Sequence, residues 1–490
     1  MSLAKHGIYY LSGRIAGAAI GMLSLFAFTR VLSAEDYGRY SVAIAVSGLI
    51  AGIGFQWLRQ CLVKFWAETA HDKERLLGTI GALFSALLMI VVIGMVFASM
   101  LPFHDGQISG DLVIAVTTMA CAQAWFELTL DAARVDLKPI RYGAANLARA
   151  ALCLILGLCA ALVTHRLEAI LLGISLGYLL ASRIAIPRWL NGLGKLGSAS
   201  WAETKSLAAY GLPLALTLGF AFVLDSVDQL MLIAMSGPAE AGIYASAYNV
   251  AQYSIGGLLA GLGLAVFPLA AKQHSDGKVS ETADLLGKNF ALLFAMALPA
   301  TVGLAVLSPT IDRLLLGNFS ADQSPFITVI VAIGVAFAAL RSYALDIIFM
   351  LVHKTHVQAA LLALSAALNV ALNVALIPLW GASGAALATL IAFVSAFLLS
   401  AVIGRRYLKP RTNVGSILKI LLAGAAMGTI LLAMPEGNTW VSLVLKIGLG
   451  VITYSFLMLV LNPAQVRLHL AARFSGSKSL NLPYDEASSP

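Results

Sequence analysis

The sequence predicts an all-α polytopic membrane protein of about fourteen transmembrane helices, and three observations carry that expectation. The chain is 60% hydrophobic and only 11% charged, with a mean hydropathy of +0.88; a soluble domain is nearer half apolar and a quarter charged. Its apolar residues gather into runs of the roughly 20 residues that cross a hydrocarbon core. One pattern of apolar run, short polar turn and apolar run occurs twice, half the chain apart.

The second copy runs from Leu207 to Pro268, interrupted in its first run only by Asp225 and Asp228 and turning at Ser236–Tyr244. About 204 residues earlier the chain reads apolar to Leu32, turns through Ser33–Tyr40, and is apolar again. Gly38 and Tyr40 register with Gly242 and Tyr244, and Ala43 with Ala247. Such a repeat implies duplication, and in membrane proteins repeats point to transporters.

Taken in order, the expected spans are Ile8–Val31, Ser41–Leu58, Leu76–Leu101, Leu112–Leu130, Tyr142–Val163, Ala169–Ile186 and Leu207–Met235. They continue with Ile243–Leu269, Phe290–Leu307, Phe326–Val352, Val357–Ile377, Ser383–Gly404, Ile417–Met434 and Trp440–Leu461. Lipid offers nothing to hydrogen-bond an open backbone, so each must be a helix. The runs are too long and too weakly alternating for barrel strands. The first is expected to stay in the membrane and not to be a cleaved signal peptide.

Lys and Arg set the orientation. Residues such as Lys5, Lys64, Lys73, Arg141, Lys195, Lys278 and Arg405 fall at one end of the spans, against Arg30, Arg39, Arg166 and Arg313 at the other. Both termini are therefore expected in the cytoplasm. Six spans separate the two hairpins, so the copies enter from the same side and the repeat is parallel. This gives an N-lobe over 1–190, a Gly/Ser-rich cytoplasmic linker over 191–206 and a C-lobe over 207–404. Two further helices follow within 405–473, then a polar tail, 474–490, expected to be disordered.

The net charge of +8 is the cytoplasmic excess of Lys and Arg, and no nucleic-acid partner is expected. The four cysteines form no CxxC and read as packing residues. His353 and His356 lack a third ligand, there is no phosphate-cradling glycine loop, and no group of acids and bases suggests catalysis. The expectation is a transporter and not an enzyme, without metal or cofactor.

Polar side chains at membrane depth carry the functional signal, because each costs about 2.5–3.5 kcal/mol on insertion scales. Arg14, Arg149 and Arg341 stand in the inner halves of their spans and are candidate cavity cations; guanidinium groups hold phosphate bidentately. Arg183 lies nearer the surface, where it can snorkel. Asp225 and Asp228, at i and i+3 in the outer half of the seventh span, are candidates for ion coupling. Asn249 and Gln252, and Asn369 and Asn373, line single helix faces as candidate polar lining, with interhelical hydrogen bonding the plainer role.

Four stretches carry a family resemblance: Thr29–Tyr40; Tyr210-Gly-Leu-Pro213 running on to Gly242-Ile-Tyr244; Leu304–Pro309 with Leu314–Gly317; and Leu368–Pro378 continued by Gly381–Thr389. Together, in order and on the right helices, they resemble the polysaccharide-biosynthesis (Wzx-type) flippases of the multidrug/oligosaccharidyl-lipid/polysaccharide exporter superfamily. The resemblance implies two parallel six-helix lobes forming a V around a central cavity. It implies alternating access that carries an undecaprenyl-pyrophosphate-linked oligosaccharide, an O-antigen or exopolysaccharide unit, across the bacterial inner membrane. Coupling to H+ or Na+, contact with membrane lipid, and polysaccharide polymerase or other assembly proteins as partners belong to the same expectation. Lipid II flippases share the final helix pair and remain an alternative. An ion-coupled multidrug exporter is a second alternative, disfavoured by the inner-half arginines.

Overall fold

The computed structural model describes residues 3–68, 73–100, 109–136, 138–194, 196–263, 266–316, 324–435, 437 and 439–461. The expected polar tail, 474–490, lies outside them. Among the described residues there is no strand. The N-terminal half comprises α1 (Leu3–Val31), α2 (Ala34–Glu68), α3 (Lys73–Met100), α4 (Gly110–Val135), α5 (Pro139–Thr164) and α6 (Leu167–Ala185). The C-terminal half opens with α7 (Trp201–Met235). Its next pass is α8 (Pro238–Ala251), a π-helical turn (Gln252–Gly256), α9 (Gly257–Gly263) and α10 (Val266–Ser275). Then come α11 (Val279–Ile311), α12 (Ser324–Leu340), a π turn (Arg341–Leu345), α13 (Asp346–Leu351), α14 (Thr355–Gly404), α15 (Val414–Leu432) and α16 (Trp440–Leu461).

Eleven described helical segments are long and apolar enough to cross a membrane. The 50-residue α14 contains two expected passes, because its backbone leaves helical geometry at Gly381 (φ 52°, ψ −130°). Asn373 and Thr389, before and after that point, both donate to the same carboxylate of Asp228. A straight helix would hold them about 24 Å apart at about 1.5 Å per residue, so the chain reverses here. Glycine takes this positive φ at little cost. Glu240 secures the new helix start, accepting from the Ala382 N–H at 2.7 Å. With α1 and α7 helical across their expected passes, the fourteen predicted spans are all helical in their described residues.

The sequence repeat meets itself in space. α1 ends at Val31 and α2 begins at Ala34; α7 ends at Met235 and α8 begins at Pro238, each 204 positions on. A Cβ on Gly38 would collide with the Pro238 carbonyl oxygen and sit 2.9 Å from Gly242 N. One on Gly242 would collide with the Ala34 carbonyl and sit 3.0 Å from Gly38 N. Each residue therefore touches the equivalent of its own partner's neighbour, the signature of a two-fold-related contact. Two bare backbones cross at closest approach on the end of the molecule opposite the basic turns.

Near the basic end, α7 packs on the N-terminal half. Gly211 lies against Trp57 and Cys61, the Cys61 thiol donates to the Leu207 carbonyl at 3.4 Å, and Lys64 Nζ stands 3.9 Å from the Tyr210 ring centroid. The described residues of 191–206, the segment expected to link the halves, are docked. Short 3-10 helices cover Arg188–Gly194 and Leu196–Ser198, Gly81 of α3 abuts the Leu193 carbonyl, and Thr79 accepts from the Ser200 N–H at 3.1 Å. α7 begins at Trp201, six residues before the apolar run, because hydropathy marks the membrane-crossing part of a helix and not its polar first turn, here bearing Glu203.

Gly38→Ala should lower the melting temperature of the detergent-purified protein, equivalent to about 1–3 kcal/mol of overpacking. Gly54→Ala, whose Cβ would meet nothing within 4 Å, should leave it unchanged or raise it, since alanine is the better helix former.

Candidate substrate cavity and carboxylate cluster

A cavity of about 350 Å³ lies between the halves, walled by α1, α2, α4 and α6 on one side and by α7, α8 and the π turn on the other. Aromatic side chains form much of its lining: Phe28, Tyr37, Tyr40, Tyr178, Phe222, Tyr248 and Tyr253. Polar bridges cross the seam beside it. Ser41 Oγ donates to Gln229 Oε1 at 2.8 Å, and Asn249 Nδ2 donates to the Tyr37 hydroxyl at 3.2 Å. The π turn, where the Gly257 N–H reaches back five residues to the Gln252 carbonyl, adds a residue to the pass and leaves Gln252 exposed to the cavity. Such bulges concentrate at functional sites.

The two aspartates of α7 have separate environments. Three residues on a helix are about 300° apart, so their side chains diverge by about 60°. Asp225 opens onto the cavity. Asp228 turns away into the packing between α7, α8 and α14 and is 1% exposed. There it accepts from the Tyr244 hydroxyl at 2.6 Å, from Thr389 Oγ1 and from Asn373 Nδ2. Asn373 also donates to Asn369 Oδ1 at 3.1 Å. Asn369 and Asn373 are fully buried and do not line the cavity; the reversal at Gly381 places them where they fix the Asp228 carboxylate. Asn369 Nδ2 and Asn373 Oδ1 have no hydrogen-bond partner among the described residues, so the cluster retains unused polar capacity.

The three candidate cations also part company. Arg149 on α5 is half-buried, its guanidinium 5.8 Å from the Phe126 ring centroid and 5.7 Å from that of Tyr178, a cavity residue. It makes no ion pair with a described residue, and ring faces attract a cation without neutralising it. Arg341 does not line the cavity. It is 8% exposed, with Nε 3.5 Å from Asp346 Oδ2. On an α-helix residues five apart lie about 140° apart around the axis. The π turn, in which the Asp346 N–H bonds to the Arg341 carbonyl, brings the pair onto one face. Arg14 lies in α1, seven residues before the cavity residue Gly21; its side chain is outside the described residues.

Several functional-looking groups were not singled out from sequence. Arg59 on α2 binds both Glu127 and Asp131 of α4, the latter through Nε at 2.9 Å and an ion pair at 2.8 Å; span depth alone suggests solvated helix ends there. Lys446 of α16 is 7% exposed at membrane depth, and it was visible in the sequence as a charge inside the last apolar run. The cavity tyrosines carried no signal, because aromatic residues in a span usually pack.

Comparison with known proteins agrees with this architecture. The profile of the polysaccharide biosynthesis protein family matches residues 3–274, more than half of the sequence. The chain belongs to that family. The profile of lipid II flippase MurJ matches residues 140–458, which takes in α15 and most of α16. A curated relative, the probable low-salt glycan biosynthesis flippase Agl15 of Haloferax volcanii, is 22% identical over 487 residues, covering 94% of this chain and 97% of the relative. A solved lipid II flippase MurJ in an inward closed conformation superposes with a TM-score of 0.71 at 15% identity, over 95% of this chain and 100% of its own. An outward-facing multidrug resistance MATE family transporter of the MOP superfamily gives 0.54 at 13% identity, over 82% and 95%. These structures establish a shared fold.

Asp228→Ala removes the acceptor for three buried donors and should destabilise the protein by about 1–3 kcal/mol. Asp225→Ala, at a side chain open to the cavity, should stay within about 0.5 kcal/mol. Parallel thermal melts in detergent measure the contrast.

Proposed function

We propose that the protein is a flippase that moves an undecaprenyl-pyrophosphate-linked oligosaccharide, an O-antigen or exopolysaccharide repeat unit, from the inner to the outer leaflet of the bacterial inner membrane. The observation that carries the reading is a polar, aromatic-lined cavity between the N-terminal and C-terminal halves, with one guanidinium that no described carboxylate neutralises, Arg149, a single ring behind its wall. A diphosphate entering from the cytoplasmic leaflet meets a bidentate cation there, while the hollow keeps the glycan out of lipid. Arg149 and Arg14 are the residues assigned to the diphosphate. Arg341, held by Asp346, is assigned to helix packing. Both termini are taken as cytoplasmic, which places the basic turns on the side where positive loops are retained. The halves over 1–190 and 207–404 act as the two rocking units, the docked segment 191–206 joins them, and α15 and α16 form an appended pair.

Alternating access needs a cation or substrate that binds one state better than the other. The Asp228 cluster is the proposed coupling site for H+ or Na+. It is a carboxylate ringed by Tyr244, Thr389 and Asn373 from three separate passes, so changing its charge alters the packing of α7 against α8 and α14. Membrane lipid and polysaccharide assembly proteins, a polymerase among them, are the proposed partners. The profile match through α15 and α16 favours a lipid-linked substrate over a drug, since the MATE likeness leaves about a fifth of this chain uncovered. It also supports lipid II as a second candidate cargo.

The test is transfer of a labelled undecaprenyl-pyrophosphate oligosaccharide across proteoliposomes that contain the purified protein. Arg149→Ala should reduce transfer at least about tenfold, the loss expected when a charge-assisted contact is removed, with insertion and melting temperature unchanged. The exposed Arg183 should tolerate the same change. Asp228→Asn should uncouple transfer from an imposed H+ or Na+ gradient. Equal transfer with and without functional protein would end the proposal.

A further inference from the structure

We infer that the cavity reads the charge of the glycan: Asp225 selects neutral or amino-bearing sugars and turns away acidic ones. This rests on the flippase reading above and adds the chemical class of the cargo's sugar.

Among the described cavity-lining residues Asp225 is the one that carries a formal charge. Its carboxylate is exposed to the hollow and has no hydrogen bond or ion pair with any described residue. Every described charged group near it is already engaged or stands elsewhere. Asp228 is held by its three donors, Arg341 is held by Asp346 at 3.5 Å, and Arg149 lies on the opposite wall behind Tyr178. The hollow therefore presents an acceptor-only group that no described donor satisfies.

The neighbours of Asp225 complete a sugar-binding chemistry. Gln252, turned inward by the π turn, and Asn249 offer amides that both donate and accept. Phe222 and Tyr253 line the same hollow, and the C–H face of a pyranose can lie parallel to an aromatic ring. A carboxylate beside such rings accepts from two adjacent hydroxyls, or from an ammonium group. A uronic acid in the same place would set a second carboxylate against the first, where the nearby cation Arg341 is already paired with Asp346, the repulsive element from which specificity is built. The volume, about 350 Å³, is at the small end of ligand pockets, which run to roughly 1,000 Å³. It suits one or two sugar rings, so the chamber reads part of the glycan and not the whole unit. Coupling is the competing role for Asp225, but the oxygen-rich shell that a cation needs surrounds Asp228 instead.

The experiment reconstitutes the full chain in proteoliposomes and follows three undecaprenyl-diphosphate probes that differ only in the terminal sugar: N-acetylglucosamine, glucosamine and glucuronic acid. The wild-type protein should transfer the first two and carry the glucuronic acid probe at least about tenfold more slowly. Asp225→Asn should narrow that gap by about tenfold while its melting temperature stays at the wild-type value. Equal wild-type rates for all three probes would overturn this inference and leave the flippase reading standing. An Asp225→Asn protein slowed equally on all three would overturn it in favour of coupling. Transfer of no probe by folded wild-type protein would overturn the flippase reading and this inference with it.

Discussion

Two glycines, 204 positions apart, set the geometry on which the rest depends. Where Gly38 and Gly242 face each other, α2 and α8 meet backbone to backbone, and any side chain would strike a carbonyl oxygen. Close approach at this one crossing lets α2 lie along both α7 and α8 at the non-basic end. The cavity lies between these helices farther along, and α2 and α7 close again where Gly211 meets Trp57 and Cys61. Small residues give membrane helices this freedom, because lipid supplies no hydrophobic drive to force larger side chains together.

The polar groups are placed on the same logic. Asp228 is bound by three passes at once and carries no contact with the cavity. Asp225, less than one turn away, faces the cavity and binds nothing described. A charge at the first ties helices together; a charge at the second is left open to the cavity. The buried pair Arg341–Asp346 and the Arg59 pair with Asp131 are internal neutralisation, which leaves Arg149 as the described inner-half cation free to meet an anion. Fewer cations face the substrate path than depth in the membrane suggests.

Much of this was legible in the sequence. Apolar run length gave every pass, and the turn motif Gly38/Gly242 gave the duplication, because both are local properties of the chain. What escaped depends on events that a run of letters does not display. A π turn is one extra residue in an apolar helix and leaves hydropathy unchanged, yet it pairs Arg341 with Asp346 and turns Gln252 into the cavity. The burial of Asn369 and Asn373 follows from a chain reversal that brings Asn373 and Thr389 to one carboxylate. The docking of Leu193 and Ser200 on α3 through Gly81 and Thr79 is likewise a contact that a Gly/Ser-rich composition does not display.

The central claim is that the seam between α2 and α8 is a two-state contact which cargo opens. Glu35 and Ala239 are equivalent, exposed positions beside that seam. Spin labels introduced there through an unnatural amino acid report its width by pulsed electron resonance in lipid nanodiscs. The account requires one short distance in the free protein and a second, longer population when a lipid-linked oligosaccharide is added. A single unchanged distance, in protein that still transfers the oligosaccharide, would contradict it.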